Sequence, residues 1–173
     1  MKEIEELGPP VEELIKRLVI SSRANLILPT HRILDAAYEH QKGNLKIGST
    51  LKGIGPAYTD KASRNGLRVG DIRRNNFREL YDEHTDSHLL ILKNYNYKFN
   101  IKEFEKGWFE GIELMRKFRI ENTEYLLHSL SSGGKKVLAE GAQGTMLDLD
   151  FGSYPYVTSS NTISAGACTG LGI

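Results

Sequence analysis

Two stretches hold the residue types that do chemistry. The first is Gly48-Ser49-Thr50-Leu51-Lys52-Gly53-Ile54-Gly55, where two hydroxyls, a lysine and three glycines stand ahead of a helix-like segment. Hydroxyls, loop N–H groups and an ammonium are the donors that a multiply charged oxygen cluster such as a phosphate takes up. The second runs from Glu140-Gly141-Ala142-Gln143-Gly144-Thr145 through Asp148 to Tyr154-Pro-Tyr-Val-Thr158-Ser159-Ser160-Asn161. It reads as a short buried strand, Val137–Ala139, that breaks at Gly141 and Gly144 into a helical turn. Gln143, Thr145, Thr158, Ser159, Ser160 and Asn161 then crowd one crevice. Strand ends that open onto polar loops are where open α/β sheets place their ligands.

Other residues invite weaker readings. Lys52, Lys61, Arg64, Arg68, Arg73 and Arg74 concentrate positive charge next to the glycine loop, which suits an anionic ligand gripped by arginine forks or a solvated face balanced by Asp60 and Asp71. Of five histidines only His84 and His88 stand four apart, a metal spacing without carboxylate or cysteine support. Packing or helix surface explains them better. Glu140 and Asp148 could act as general acid and base, although holding the glycine turn is the simpler role. Cys168 reads as a small buried residue. No GxxxxGK[ST] phosphate loop occurs, and no Ser/His/Asp arrangement stands out.

The elements that must position these groups follow from pattern. Pro9 and Pro10 lead a short helix from Val11. Leu18-Val-Ile and Leu26-Ile-Leu are compact apolar runs that suit strands of a buried sheet. Thr30 is placed to cap a helix whose apolar positions Ile33, Leu34, Ala37 and Tyr38 carry it toward Gly43. A helix follows from about Ala57 to Arg64, and Leu67–Asp71 reads as extended. Helical spacing recurs over Asn76–Asn94, Ile101–Phe118 and Thr123–Leu130, an all-helical layer inserted before the strand at Val137.

Composition sets the outer bounds. A chain of 173 residues with 39% hydrophobic residues suffices for one domain with a core. The net charge of +1 speaks against a bulk nucleic-acid binder, and one cysteine excludes an internal disulfide. No run approaches the roughly 20 apolar residues of a membrane span. The acidic, polar, helix-like opening at Met1 does not suit a signal peptide, so a cytoplasmic protein is expected. The chain stops within the glycine-rich Gly170-Leu-Gly-Ile173, which suggests a piece of a longer protein.

Three stretches together resemble one family. They are Ile47-Gly-Ser-Thr-x-x-Gly-Ile-Gly-Pro-Ala-Tyr-x-Asp-Lys61 continuing to Arg64-x-Gly-Leu-Arg-Val-Gly-Asp71, then Glu140–Asp148, then Tyr154–Thr162. The family is adenylosuccinate synthetase; the likeness runs over essentially the whole chain, most specific in these stretches and vaguer through the helices from Asn76 to Leu130. It implies an α/β fold with a mixed, mostly parallel sheet, flanking helices and a helical insertion, of which this chain is a central, partial domain. It also implies a GTP-dependent ligase of purine (AMP) biosynthesis, a homodimer using Mg²⁺ whose ligands lie outside this stretch. GTP phosphorylates the 6-oxygen of IMP and aspartate then displaces the phosphate, releasing adenylosuccinate, GDP and phosphate. Carried over by position, Thr50 and Thr158 hold the IMP 5′-phosphate, Gln143 reaches the hypoxanthine near its 6-oxygen, and Arg64 is lent across the dimer to the partner's IMP. Leu51-Lys52 departs from the glycine and arginine of many members. His31 does not match the family's catalytic histidine motif. The amino-terminal phosphate loop with its catalytic aspartate, and the carboxy-terminal guanine- and aspartate-recognising segments, have no counterpart here, so the chain alone is expected to be inactive. The competing reading is a non-catalytic nucleotide- or phosphate-binding module.

Overall fold

The computed structural model describes residues 8, 10–46 and 48–173; the opening segment at Met1, Pro9 and Ile47 lie outside the described residues. Its elements run α1 (Val11–Arg17), β1 (Val19–Ser21), α2 (Pro29–Gln41), α3 (Ile54–Ser63), α4 (Phe77–Leu92), α5 (Lys102–Met115), β2 (Arg119–Glu121), α6 (Thr123–Ser132) and α7 (Ala165–Leu171). Three short 3₁₀ turns, Gly43–Leu45, Val69–Arg73 and Thr145–Leu147, connect them. This is an α/β arrangement with a small parallel sheet. β1 pairs with β2 in the register Val19–Arg119, Ile20–Ile120, Ser21–Glu121. An isolated antiparallel bridge joins Asn25 to Arg68.

The long helices form where the periodicity expects them. In α4 the buried residues Phe77, Tyr81, Thr85, His88 and Leu92 fall three or four apart and so make one face. Phe77 and Tyr81 of that face meet Leu28, Val69, Ile72 and Ile112 in the larger apolar cluster, where Tyr81 is fully buried and stacks on Trp108 at 4.9 Å between ring centres. Each such large side chain contributes about 1.5–3 kcal/mol on burial. Ile33, Leu34 and Ala37 of α2 pack with Leu92 in a second cluster.

Several expectations are corrected. Thr30 does not cap α2, because Pro29 already begins it with φ pre-set for a helix; Thr30 lies inside the first turn and bonds His88 instead, Oγ1 to Nδ1 at 2.7 Å. Leu26–Leu28 is extended and largely buried but forms only the bridge at Asn25, since Leu67 and Val69 offer it a turn rather than a full partner strand. Residues 69–73 coil into the 3₁₀ turn because the Asp71 carboxylate accepts the Arg68 N–H at 2.8 Å. α3 starts at Ile54, three residues earlier than expected. β2 went unforeseen: three residues between two helices carry too little alternation to show.

The largest departure concerns Val137–Ala139, which is no strand. No other strand lies beside it among the described residues, and Leu138 is 93% exposed. Beyond Glu121, Asp148 is the one buried residue. Backbone hydrogen bonds, not an apolar core, hold this part together.

Candidate functional site

The glycine loop is organised by one polar stripe of α2. His31, Asp35 and Glu39 are spaced by four residues, so they share a face, and all three are buried. Asp35 accepts the Ser49 hydroxyl at 2.6 Å and the Gly53 N–H at 2.9 Å. Glu39 accepts the Gly48 N–H at 3.1 Å and the Lys42 ammonium at 2.9 Å. The Lys42 contact, reinforced by the loop N–H groups against the opposing effect of burial, holds the Glu39 carboxyl below its ordinary range. Gly53 takes φ +80°, and a Cβ there would lie 2.8 Å from the His31–Arg32 backbone. No other residue type fits that approach.

These contacts revise the phosphate reading of the loop. The N–H groups of Gly48 and Gly53 and the Ser49 hydroxyl already face carboxylates, so they are not free donors. Thr50 stands apart from those contacts, on the arch between the anchored Ser49 and Gly53. It opens into a cavity of about 680 Å³ whose walls also include Gly55, Gln143, Tyr156, Thr158 and Ser159.

The opposite wall is shaped by Asp148. Its buried carboxylate accepts backbone N–H bonds from Asp150, Phe151, Thr162 and Ile163 at 2.6–3.2 Å. Burial raises its pKa, but these four donors outweigh that and hold the carboxyl below the ordinary value. Asp148 is therefore occupied as the hub of the turn and not as an acid or base. Thr158 and Leu147 join through backbone, N–H to carbonyl at 2.9 Å, and the Leu149 N–H meets the Ser160 carbonyl at 3.2 Å.

Of the sequence candidates, then, Thr50, Gln143 and Thr158 share one cavity, as does Ser159. Ser160 and Asn161 turn instead to a second crevice of about 750 Å³, lined also by Tyr58, Lys61 and Thr169, and Thr145 lines neither. Arg64 does not line the cavity. It ends α3 in the left-handed conformation, φ +66°, and is exposed. The basic cluster is not one patch: Arg73 donates to the Ile120 carbonyl at 3.2 Å and Arg74 pairs with Asp71 at 3.5 Å. Cys168 is exposed, not buried, because α7 buries no residue.

A group missed in the sequence lies where α2, α3 and α4 meet. Asp60 Oδ2 is 2.9 Å from His31 Nε2 and 3.0 Å from His88 Nε2. The i, i+4 pair His84/His88 divides: His88 joins this cluster while His84 bonds the Leu80 and Asn65 carbonyls. All three ligand-type atoms fall within 4.8 Å, a metal-like spacing. The hydrogen bonding opposes that use. The Leu28 N–H donates to His31 Nδ1 at 2.9 Å, so the proton sits on Nε2 and points at Asp60, leaving no lone pair for a cation. Mg²⁺, which takes oxygen ligands, fits the cluster least. Burial lowers the His31 pKa, against the Asp60 contact that raises it; burial raises Asp60, but the two imidazoles outweigh this and hold it far below its ordinary value.

A glycine loop and a hydroxyl-bearing turn thus face each other across one cavity of an α/β protein, the arrangement of a candidate small-ligand site. The comparisons make that specific. The family model for adenylosuccinate synthetase matches residues 1–173. The chain is 61% identical to the adenylosuccinate synthetase of Phocaeicola vulgatus over 170 residues, which are 98% of this chain and 39% of that protein. It is 58% identical to that of Bacteroides fragilis, over 99% of this chain and 40% of the relative. A solved structure of fully ligated adenylosuccinate synthetase from Plasmodium falciparum superimposes with a TM-score of 0.85 at 37% identity, over all of this chain and 40% of that one. The chain belongs to the adenylosuccinate synthetase family, and it spans about two fifths of the length of the curated relatives it matches.

Proposed function

We propose that the chain forms the IMP-side part of a GTP-dependent adenylosuccinate synthetase, a cytoplasmic homodimer of AMP biosynthesis that joins IMP to aspartate. The observation that carries this reading is the shared cavity of Thr50, Gln143 and Thr158, three residues separated by up to 108 positions in sequence. Its volume lies within the range of small-ligand sites. In this reading Thr50 and Thr158 donate to the 5′-phosphate from opposite walls, with the first N–H groups of α3 adding donors at the helix start. The Gln143 carboxamide pairs with the lactam edge of hypoxanthine, its N–H to the 6-oxygen and its carbonyl to N1–H. GTP phosphorylates that oxygen, aspartate displaces the phosphate, and Mg²⁺ serves the phosphoryl transfer from ligands outside this stretch.

Charge supports the shared-site part of the proposal. The ionisable carboxylate and amine groups that line the cavity are Asp35, Glu39 and Lys42, two negative and one positive. A phosphate there needs a cation from elsewhere, and an exposed Arg64 without a partner among the described residues suits a role at the neighbouring subunit. In this reading the isolated chain holds only part of the site and lacks pre-organisation, so IMP should bind it with a Kd weaker than about 1 μM. Calorimetric titration of IMP into the chain, beside Thr50→Ala and Thr158→Ala variants, tests this. Submicromolar binding would overturn the weak-affinity expectation, and binding by both variants as tight as the parent's would refute the assignment.

A further inference from the structure

We propose that Asp35 is a positioning residue for the substrate loop: its carboxylate staples Ser49 to Gly53 and so sets the arch that presents Thr50 to the cavity. The inference rests on the reading of that cavity as an IMP site. The two oxygens are used separately, Oδ1 for the Ser49 hydroxyl at 2.6 Å and Oδ2 for the Gly53 N–H at 2.9 Å. The residues they fix are the two ends of a five-residue arch, with Thr50, Leu51 and Lys52 between them. Ser49 is held on the inner side too, since its Oγ accepts the Leu51 N–H at 3.2 Å. Asp35 itself cannot swing away, because it is 7% exposed and mounted midway along a 13-residue helix. Gly53 cannot retreat either, as it abuts the His31–Arg32 backbone. A rigid helix thus grips a loop at two points through one side chain, which is how a donor is kept within the few tenths of an ångström that substrate binding requires.

The chemistry of the staple makes its test selective. Asparagine keeps both contacts: its carbonyl accepts the Gly53 N–H and its amide donates to the Ser49 oxygen. Leucine, of similar volume, keeps neither. In the full-length synthetase carrying this sequence, Asp35→Leu should raise the KM for IMP by about tenfold with kcat changed less than about threefold, and Asp35→Asn should stay within about threefold of the parent in both. Amide hydrogen exchange at Gly53 should accelerate at least about tenfold in Asp35→Leu and not in Asp35→Asn. Should Asp35→Leu not fold, Ser49→Ala removes one of the two contacts and should still raise the KM for IMP by about threefold. Unaltered Gly53 exchange in Asp35→Leu would overturn the staple. Faster exchange with an unchanged KM for IMP would overturn its role in presenting Thr50, as would Asp35→Asn proving no better than Asp35→Leu. Exchange needs no substrate, so the staple remains testable even if the protein shows no IMP-dependent activity, a result that would instead sink the functional reading.

Discussion

Leu51 and Arg64 occupy the left-handed region, at φ +56° and +66°, and Gln143 does so at +73°. All three lie at or beside proposed IMP-binding positions. An L-residue there costs roughly 1–2 kcal/mol, and glycine avoids most of it. A glycine at position 51 would therefore relieve backbone strain. Leu51→Gly should leave the thermal midpoint unchanged or raise it slightly, since relief of strain and extra unfolded-state freedom nearly offset. Leu51→Val, whose branched Cβ suits that region worst, should lower the midpoint by several degrees. At the α3 terminus Arg64→Gly should stabilise the fold by about 1 kcal/mol, because glycine is the preferred helix-ending residue in this conformation. The same variant should weaken IMP-dependent activity in the full-length protein, a trade of stability for function. Mixing it with a subunit defective at Thr158 should recover part of the activity by assembling one intact site; absent recovery would argue against a shared site.

Among the elements, α2 does the organising. One face holds Ile33, Leu34 and Ala37 in the core, while the stripe His31–Asp35–Glu39 holds α3 and its loop. The His31–Asp60–His88 junction makes this arrangement pH-dependent. His31 has a folded pKa below its unfolded value of about 6.5, so its contribution is complete above that pH and declines as acid protonates the unfolded state preferentially. Asp60 has the same sign at lower pH: its contribution is present above the unfolded carboxylate value near 4 and is lost as pH falls further. The melting temperature should therefore drop on going from pH 7 to pH 5, and more steeply below about pH 4. His31→Gln should be less stable at pH 7 yet flatter between pH 7 and pH 5. Parallel melting curves for the two proteins would contradict the junction. On the opposite wall, Asp148→Ala should loosen residues 145–163 together, visible as concerted amide exchange, since four N–H groups lose one acceptor.

Taken whole, the chain is asymmetric. Among the described residues, the buried apolar ones lie between Leu26 and Ile120. The remainder displays apolar side chains, with Leu138 93%, Tyr154 78%, Phe151 74% and Met146 71% exposed. An apolar surface of this kind is unusual on a free-standing monomer. The isolated chain should bind an apolar fluorescent dye, and Leu138→Ser with Phe151→Ser should reduce that signal while leaving the melting temperature within about 2 °C. A large loss of stability in the double variant would mean that these side chains serve an internal core after all.

Local chemistry made the helices legible, because α4 and α5 carry enough residues for a 3.6-residue period to emerge over the noise of single positions. It also made the motif residues legible: Thr50, Gln143 and Thr158 stand in turns whose glycines mark them, and the same stretches carried the resemblance to the family. Strands were harder. Val137–Ala139 has the composition of a strand, but a strand exists only where a neighbour supplies its hydrogen bonds, and among the described residues nothing does. The staple at Asp35 and the His31–Asp60–His88 junction left no trace in spacing, for their members lie 14 to 57 residues apart on different elements. Which donors of the glycine loop remain free was equally hidden, since that depends on carboxylates brought in from α2. Residue types and short-range order were thus written in the chain itself; partnership across elements was decided by packing, which alone sets which polar group meets which.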